Sequence, residues 1–91
     1  MAKKDELQAI LDEKSCLKRW PARRILREAA LGYLAAKFEG GHLYTEVAVK
    51  ALLRQWHVFD DPALLRRELF DWGYIDRTRD GKSYWRRNAA S

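Results

Sequence analysis

Leu7, Ile10, Leu11 and Lys14 recur at helical spacing. That periodicity predicts a helix over residues 4–14, with Asp5 and Glu6 near its positive end. The pattern falters over residues 15–21. Trp20 precedes Pro21 and is driven toward extended geometry, while Pro21 suits the first turn of a new helix. Leu26, Ala29, Ala30, Tyr33 and Leu34 then form the inward stripe of a helix expected over 21–38, with Arg19, Arg23, Arg24 and Arg27 on or near its other side. Gly40-Gly41 is the expected stop, because glycine tolerates the left-handed conformation. His42–Tyr44 is long enough only for a brief strand. Thr45 is a natural N-cap with Glu46 in the first turn, and Ala48, Val49, Leu52, Leu53 and Trp56 predict a third helix over 46–56.

Residues 57–62 predict a turn. Asp61-Pro62 is a helix start: the carboxylate accepts from a free amide, and proline occupies the first helical position. The fourth helix is expected to reach Trp72 and stop at Gly73. Residues 74–87 read as a hairpin about a two-residue Asp80-Gly81 turn, both positions tolerating positive φ. Its register sets Asp76 opposite Trp85, Arg77 opposite Tyr84, Thr78 opposite Ser83 and Arg79 opposite Lys82. The like charges of that last pair cost stability unless an anion lies nearby.

The resulting class is mainly α with a small β-hairpin. The order helix, helix, short strand, helix, helix, hairpin is that of a winged helix-turn-helix (α-α-β-α-α-β-β) with an extra N-terminal helix. Leu43-Tyr44 is expected to pair along the hairpin as a third strand, covering an exposed edge. The six-residue connection between the third and fourth helices exceeds the 3–4 residues of a compact helix-turn-helix. Residues 1–91 form one expected domain, comprising the N-terminal helix (1–16), the winged-helix-like part (17–87) and a tail (88–91).

Composition narrows the function. The chain has 91 residues, 47% hydrophobic and 34% charged, with four Trp, four Tyr and three Phe to fill one compact core. Eighteen Lys and Arg against thirteen Asp and Glu give a net charge of +5. The sequence pI near 9.6 falls in the range that points to a polyanionic partner. The excess is confined to two blocks, residues 15–38 (six basic, one acidic) and 62–91 (seven basic, four acidic). No apolar run is long enough to span a bilayer, the N-terminus lacks the apolar centre of a signal peptide, and the single Cys16 fits a reducing compartment. A cytoplasmic location without membrane association is expected.

The segments WPARR (20–24), LGYLAAKFE (31–39), YTEVAV (44–49), DPALLRREL (61–69) and WGYIDRTRDGKSYW (72–85) resemble a bacterial family of domains of unknown function. Its members occur alone or behind ArsR-type DNA-binding domains in transcription regulators. The resemblance covers residues 17–87. It is most specific in L-R-R-x-L, then Gly, then R-x-R-D-G-x-x-Y-W. It implies a winged-helix-like fold and an association with transcription, and supplies no activity, ligand or catalytic residue.

At 100° per residue, Leu65, Leu69 and Trp72 turn inward on the fourth helix, and Arg67 lies opposite, flanked by Ala63 and Phe70 with Arg66 on the shoulder. A helix face of this kind suits the major groove, where arginine bonds guanine bidentately. Arg67 is therefore the expected base-reading residue, and Arg66 contacts phosphate or pairs with an acid such as Glu46. Arg77, Arg79, Lys82, Arg86 and Arg87 give the hairpin a phosphate-tracking edge, whose bland counterpart is a solvated, aggregation-blocking one. Lys18, Arg19, Arg23 and Arg24 crowd a helix start, where cations oppose the dipole unless another role offsets the cost. Phe70 marks either a protein interface or partial burial beneath the hairpin.

Cys16, His42 and His57 lack zinc-site spacing, and Gly40-Gly41 ends a helix without a phosphate-loop lysine. No enzyme, metal or cofactor is expected. The leading expectation is a nucleic-acid-binding module, on duplex DNA, in a bacterial transcription regulator, acting singly, as a homodimer or with a partner regulator. The alternative is a protein-interaction or regulatory domain without direct DNA binding, since fold alone does not assign function.

Overall fold

Four helices and one antiparallel hairpin follow one another along residues 3–87, the part of the chain that the computed structural model describes. They are α1 (Lys3–Ala9), α2 (Arg24–Ala35), α3 (Glu46–Arg54), α4 (Pro62–Asp71), β1 (Ile75–Arg77) and β2 (Tyr84–Arg86). The expected tail 88–91 lies outside the described residues.

Two helix starts follow from their capping residues. Thr45 Oγ1 accepts from the Ala48 amide at 3.0 Å, and Asp61 Oδ1 accepts from the Leu64 amide at 3.2 Å with Pro62 at the first helical position. Gly73 ends α4 with φ +82°, a left-handed conformation that a Cβ would strain.

The two N-terminal helices are shorter than their periodicity predicts. The first ends at Ala9 rather than residue 14, because Asp12 Oδ1 accepts from the Lys14 and Cys16 amides and Ser15 sits at φ +68°. These contacts reverse the chain, so that Leu11 pairs with Leu17. Leu17 also bonds the α3–α4 connection, through Leu17 N–H to Trp56 O at 2.8 Å and Val58 N–H to Leu17 O at 3.0 Å. Pro21 does not open α2 either. It is fully buried, and its carbonyl accepts from Arg27 Nε at 2.7 Å, so residues 21–23 precede a helix that begins at Arg24. That helix ends at Ala35, before the expected Gly40-Gly41 stop, and the next turn buries Phe38. The third helix stops at Arg54 rather than residue 56.

The expected register holds, with Asp76 paired to Trp85 and Arg77 to Tyr84. The tip differs from a two-residue turn: only Gly81, at φ +74°, is left-handed. Thr78 Oγ1 donates to Asp80 Oδ1 at 2.7 Å and accepts from the Lys82 and Ser83 amides. Side chains thus close a longer tip. The expected third strand is a single bridge, Tyr44 to Tyr84, with reciprocal amide bonds of 2.8 Å.

Ile10, Leu17, Leu31, Leu34, Phe38, Val49, Leu53, Leu65, Leu69, Ile75 and Tyr84 are each at most 3% exposed and form one core. Ile10 and Leu17 belong to it, so the N-terminal segment is part of the same packed unit. Ile75, Arg77, Tyr84 and Arg86 share the core-facing side of the hairpin by alternation, leaving Asp76 and Trp85 on the other. Arg77 therefore points toward α4, and Arg86 toward the end of α2.

Candidate nucleic-acid interface

Leu65 and Leu69 are fully buried, which turns Arg67 on α4 into solvent. On one flank of that helix lies the hairpin. A cleft of about 400 Å³ between them is lined by Arg66, Arg67, Arg77, Phe70 and Tyr84, together with the carboxylates of Glu46, Asp71 and Asp80. Three guanidinium groups from two elements thus share one concavity.

Each has a different environment. Arg66 Nη1 donates to Tyr84 Oη at 2.9 Å and lies 3.6 Å from Glu46 Oε2. This residue ties α4 to both the hairpin and the start of α3. Its Nε is buried without a partner among the described residues. Of the two roles open to Arg66, the ion pair with Glu46 is the one formed here. Arg77 stacks on Phe70, its guanidinium carbon 4.8 Å from the ring centroid. Phe70 is consequently half-buried rather than an outward apolar patch. Arg67 is exposed, with no hydrogen bond or ion pair among the described residues.

Arg79 and Lys82 are exposed at the hairpin tip with Asp80 between them. The hydrogen bond from the Thr78 hydroxyl, then that from the Lys82 backbone amide, hold the Asp80 carboxyl below its ordinary range. An ionised carboxylate thus shares the tip with the two cations, its Oδ1 accepting from the Thr78 hydroxyl and the Lys82 amide.

Arg86 and Arg87 do not join the cleft. The first donates from Nη1 to Phe38 O at 3.1 Å, in the turn after α2, and both line cavities at the other end of the hairpin. The cations of residues 18–24 divide as well. Arg24 pairs with Glu28 at 3.4 Å and lies 5.2 Å from the Trp72 ring centroid, which brings the start of α2 to the second flank of α4. Arg23 lies 4.0 Å from Glu6, and Lys18 and Arg19 are exposed before α2. No side chain caps the α2 N-terminus, and its first turn holds no acid.

The scattered Cys16, His42 and His57 have local roles. Cys16 Sγ donates to Gln55 O at 3.1 Å, and His42 packs against Tyr44 with ring centroids 4.5 Å apart. His57 accepts from the Asp61 amide at Nε2 (3.0 Å), which leaves Nδ1 to donate to Leu53 O at 2.7 Å. A buried histidine thus closes the α3–α4 connection, a role its isolated position in the sequence did not announce. Among the described residues, no three His, Cys, Asp or Glu side chains gather to hold a metal ion. No described helix is long and apolar enough to cross a membrane.

Residues 16–86 match a family described as an uncharacterized protein conserved in bacteria, DUF2087. No curated protein and no solved structure matches the chain.

Proposed function

We propose that this chain, which belongs to the bacterial family DUF2087, is a winged-helix module that binds duplex nucleic acid and serves in transcription regulation. One observation carries the reading. Arg67 stands exposed on the outer side of α4, with Arg77 of the hairpin on one flank of that helix and Arg24 of α2 on the other. Cations from three elements around one exposed helix face suit a duplex backbone and groove. In this reading Arg67 meets base edges, and Arg77, Arg79, Lys82 and Arg24 neutralise phosphates.

A salt titration of binding to random-sequence and selected duplexes tests it. Each phosphate contact contributes about 0.9 to the slope of log affinity against log salt. Replacing Arg79 and Lys82 with alanine therefore lowers that slope by about 2 and weakens all sequences alike. The Arg67→Ala variant instead relaxes preference at one position, costing about 1–3 kcal/mol of discrimination. Unchanged affinity in the double variant rejects the hairpin contacts, and an equal loss on every sequence rejects base reading by Arg67.

A second reading, a protein-docking domain, is favoured by Leu43 and Val47, which are 64% and 77% exposed at the entry to α3. No binding to duplexes even at low salt, where electrostatic contacts are strongest, selects it.

A further inference from the structure

Gly32 opens the last turn of α2 at an ordinary helical φ, a helical position where glycine is the poorest choice after proline. A Cβ built there would meet nothing within 4 Å. The protein's own packing therefore does not require a glycine at this position. Above it runs a groove of about 370 Å³, floored by Gly32, Ala35 and Ala36 and walled by Trp72 and Tyr74. The polar atoms of both walls are already engaged: Trp72 Nε1 donates to Glu68 Oε1 at 3.1 Å, and Tyr74 Oη donates to Glu28 O at 3.4 Å. What these rings offer the groove is apolar surface.

The charged residues that line the groove are both basic. Arg86 and Arg87 line the groove, and no carboxylate does. Arg86 is committed to the Phe38 carbonyl, whereas the Arg87 guanidinium lies across Gly73, 3.6 Å from where a Cβ would stand. Arg24, over the Trp72 ring, is paired with Glu28 and lies outside the groove, so Arg87 is the guanidinium that the groove itself offers. Floor, walls and rim together describe a site for a flat apolar body with one negative charge. It shares no residue with the cleft between α4 and the hairpin.

We propose that the groove between Gly32, Trp72 and Tyr74 binds a small aromatic carboxylate, its ring over Gly32 and its carboxylate on Arg87. The site is independent of the nucleic-acid reading.

Naphthalene-1-carboxylate and its neutral amide, naphthalene-1-carboxamide, are matched probes for the full chain. Titration is followed by calorimetry and by the NMR resonances of the Gly32 and Gly73 amides and the Trp72 indole N–H. The expected result is a saturable response at those three resonances, with the acid bound about tenfold tighter than the amide. Gly32→Leu fills the floor and abolishes the response while leaving Tm unchanged or higher, because leucine is the better helix former. Arg87→Gln keeps binding but brings acid and amide level. The proposal is overturned by shifts centred instead on Trp85, by equal affinity of acid and amide, by retained binding in G32L, or by a fall in Tm on that substitution.

Discussion

Tyr84 holds the three-element junction at Arg66, and Tyr84→Phe removes a single oxygen from it. The ring stays, 3% exposed in the core, so no cavity forms. What is lost is the 2.9 Å bond from Arg66 Nη1, leaving that nitrogen only Glu46 Oε2 at 3.6 Å. A hydrogen bond to a charged group contributes about 1.5–3 kcal/mol. The Arg66 side chain is 25% exposed, so water replaces part of it. The expected loss is therefore at or just below the low end, about 1–1.5 kcal/mol, or a fall in Tm of about 4–12 °C for a domain of this size.

Urea denaturation and calorimetry measure this directly, and the urea m-value should stay constant because the buried surface does not change. Arg66→Met is the companion variant. It keeps an apolar stem and relieves the partnerless Nε, but it removes the same hydrogen bond together with the Glu46 contact, so the single change should cost at least as much as Tyr84→Phe, about 1–3 kcal/mol. On that background Tyr84→Phe should cost nothing further, making the coupling energy equal to the loss in the single tyrosine variant. A Y84F protein as stable as the parent, or an undiminished penalty in the double variant, refutes the account of Arg66 as the tie between α4, α3 and the hairpin.

Other expectations follow from capping, turn geometry and titration. Thr45→Ala and Asp61→Ala each remove an N-cap bond and should cost about 1 kcal/mol in urea denaturation. Gly73→Ala places a Cβ at φ +82° and should cost about 1–2 kcal/mol in the same assay. Asp80 has its folded pKa lowered, so the stability it contributes is present above its ordinary range near 3.8 and is lost as pH falls through the folded value. A Tm-versus-pH series below pH 5 should therefore be flatter for Asp80→Asn than for the parent. Burial raises Tyr33 and Tyr74 above the ordinary value of 10, so their contribution is complete below pH 10 and is lost as pH rises through the folded values. Replacing both with phenylalanine should flatten the alkaline limb of the same series.

Elements closed by their own neighbouring residues could be read from the chain. Thr45, Asp61-Pro62 and Gly73 act within one helical turn, and α3 and α4 begin where these residues predict. The hairpin register was equally legible, because burying Ile75 and Tyr84 on one side leaves no other alternation. Boundaries set by distant partners were not. The end of α1 depends on Leu17 lying between Leu11 and His57, a contact that crosses about forty residues of sequence. The end of α2 depends on burying Phe38, whose carbonyl is claimed by Arg86. The tip at Asp80-Gly81 departs from the expected two-residue turn for a related reason: side-chain bonds from Thr78 and Asp80 compete with the backbone pattern that the dipeptide alone favours.

The candidate site shows the same division at the level of single arginines. Helical phase places Arg67 outside, because Leu65 and Leu69 build the opposite face, whereas Trp72, expected on that face, is 37% exposed. Charge count treats Arg66, Arg77, Arg86 and Arg87 as equals on neighbouring elements, yet their long stems allow quite different destinations. Pleating sends Arg77 and Arg86 to the same side of the hairpin, but they lie at its two ends, one reaching a phenyl ring on α4 and the other a carbonyl in the turn after α2. The basic excess of the chain is thus partly structural: Arg66, Arg77 and Arg86 each tie their own element to at least one other segment before any partner arrives. Only cations without such ties can lose their hydration to a phosphate at little cost to the fold. In the hairpin and α4, that singles out Arg67, Arg79 and Lys82 as the residues where binding and stability separate, so alanine there should change affinity while Tm stays close to that of the parent.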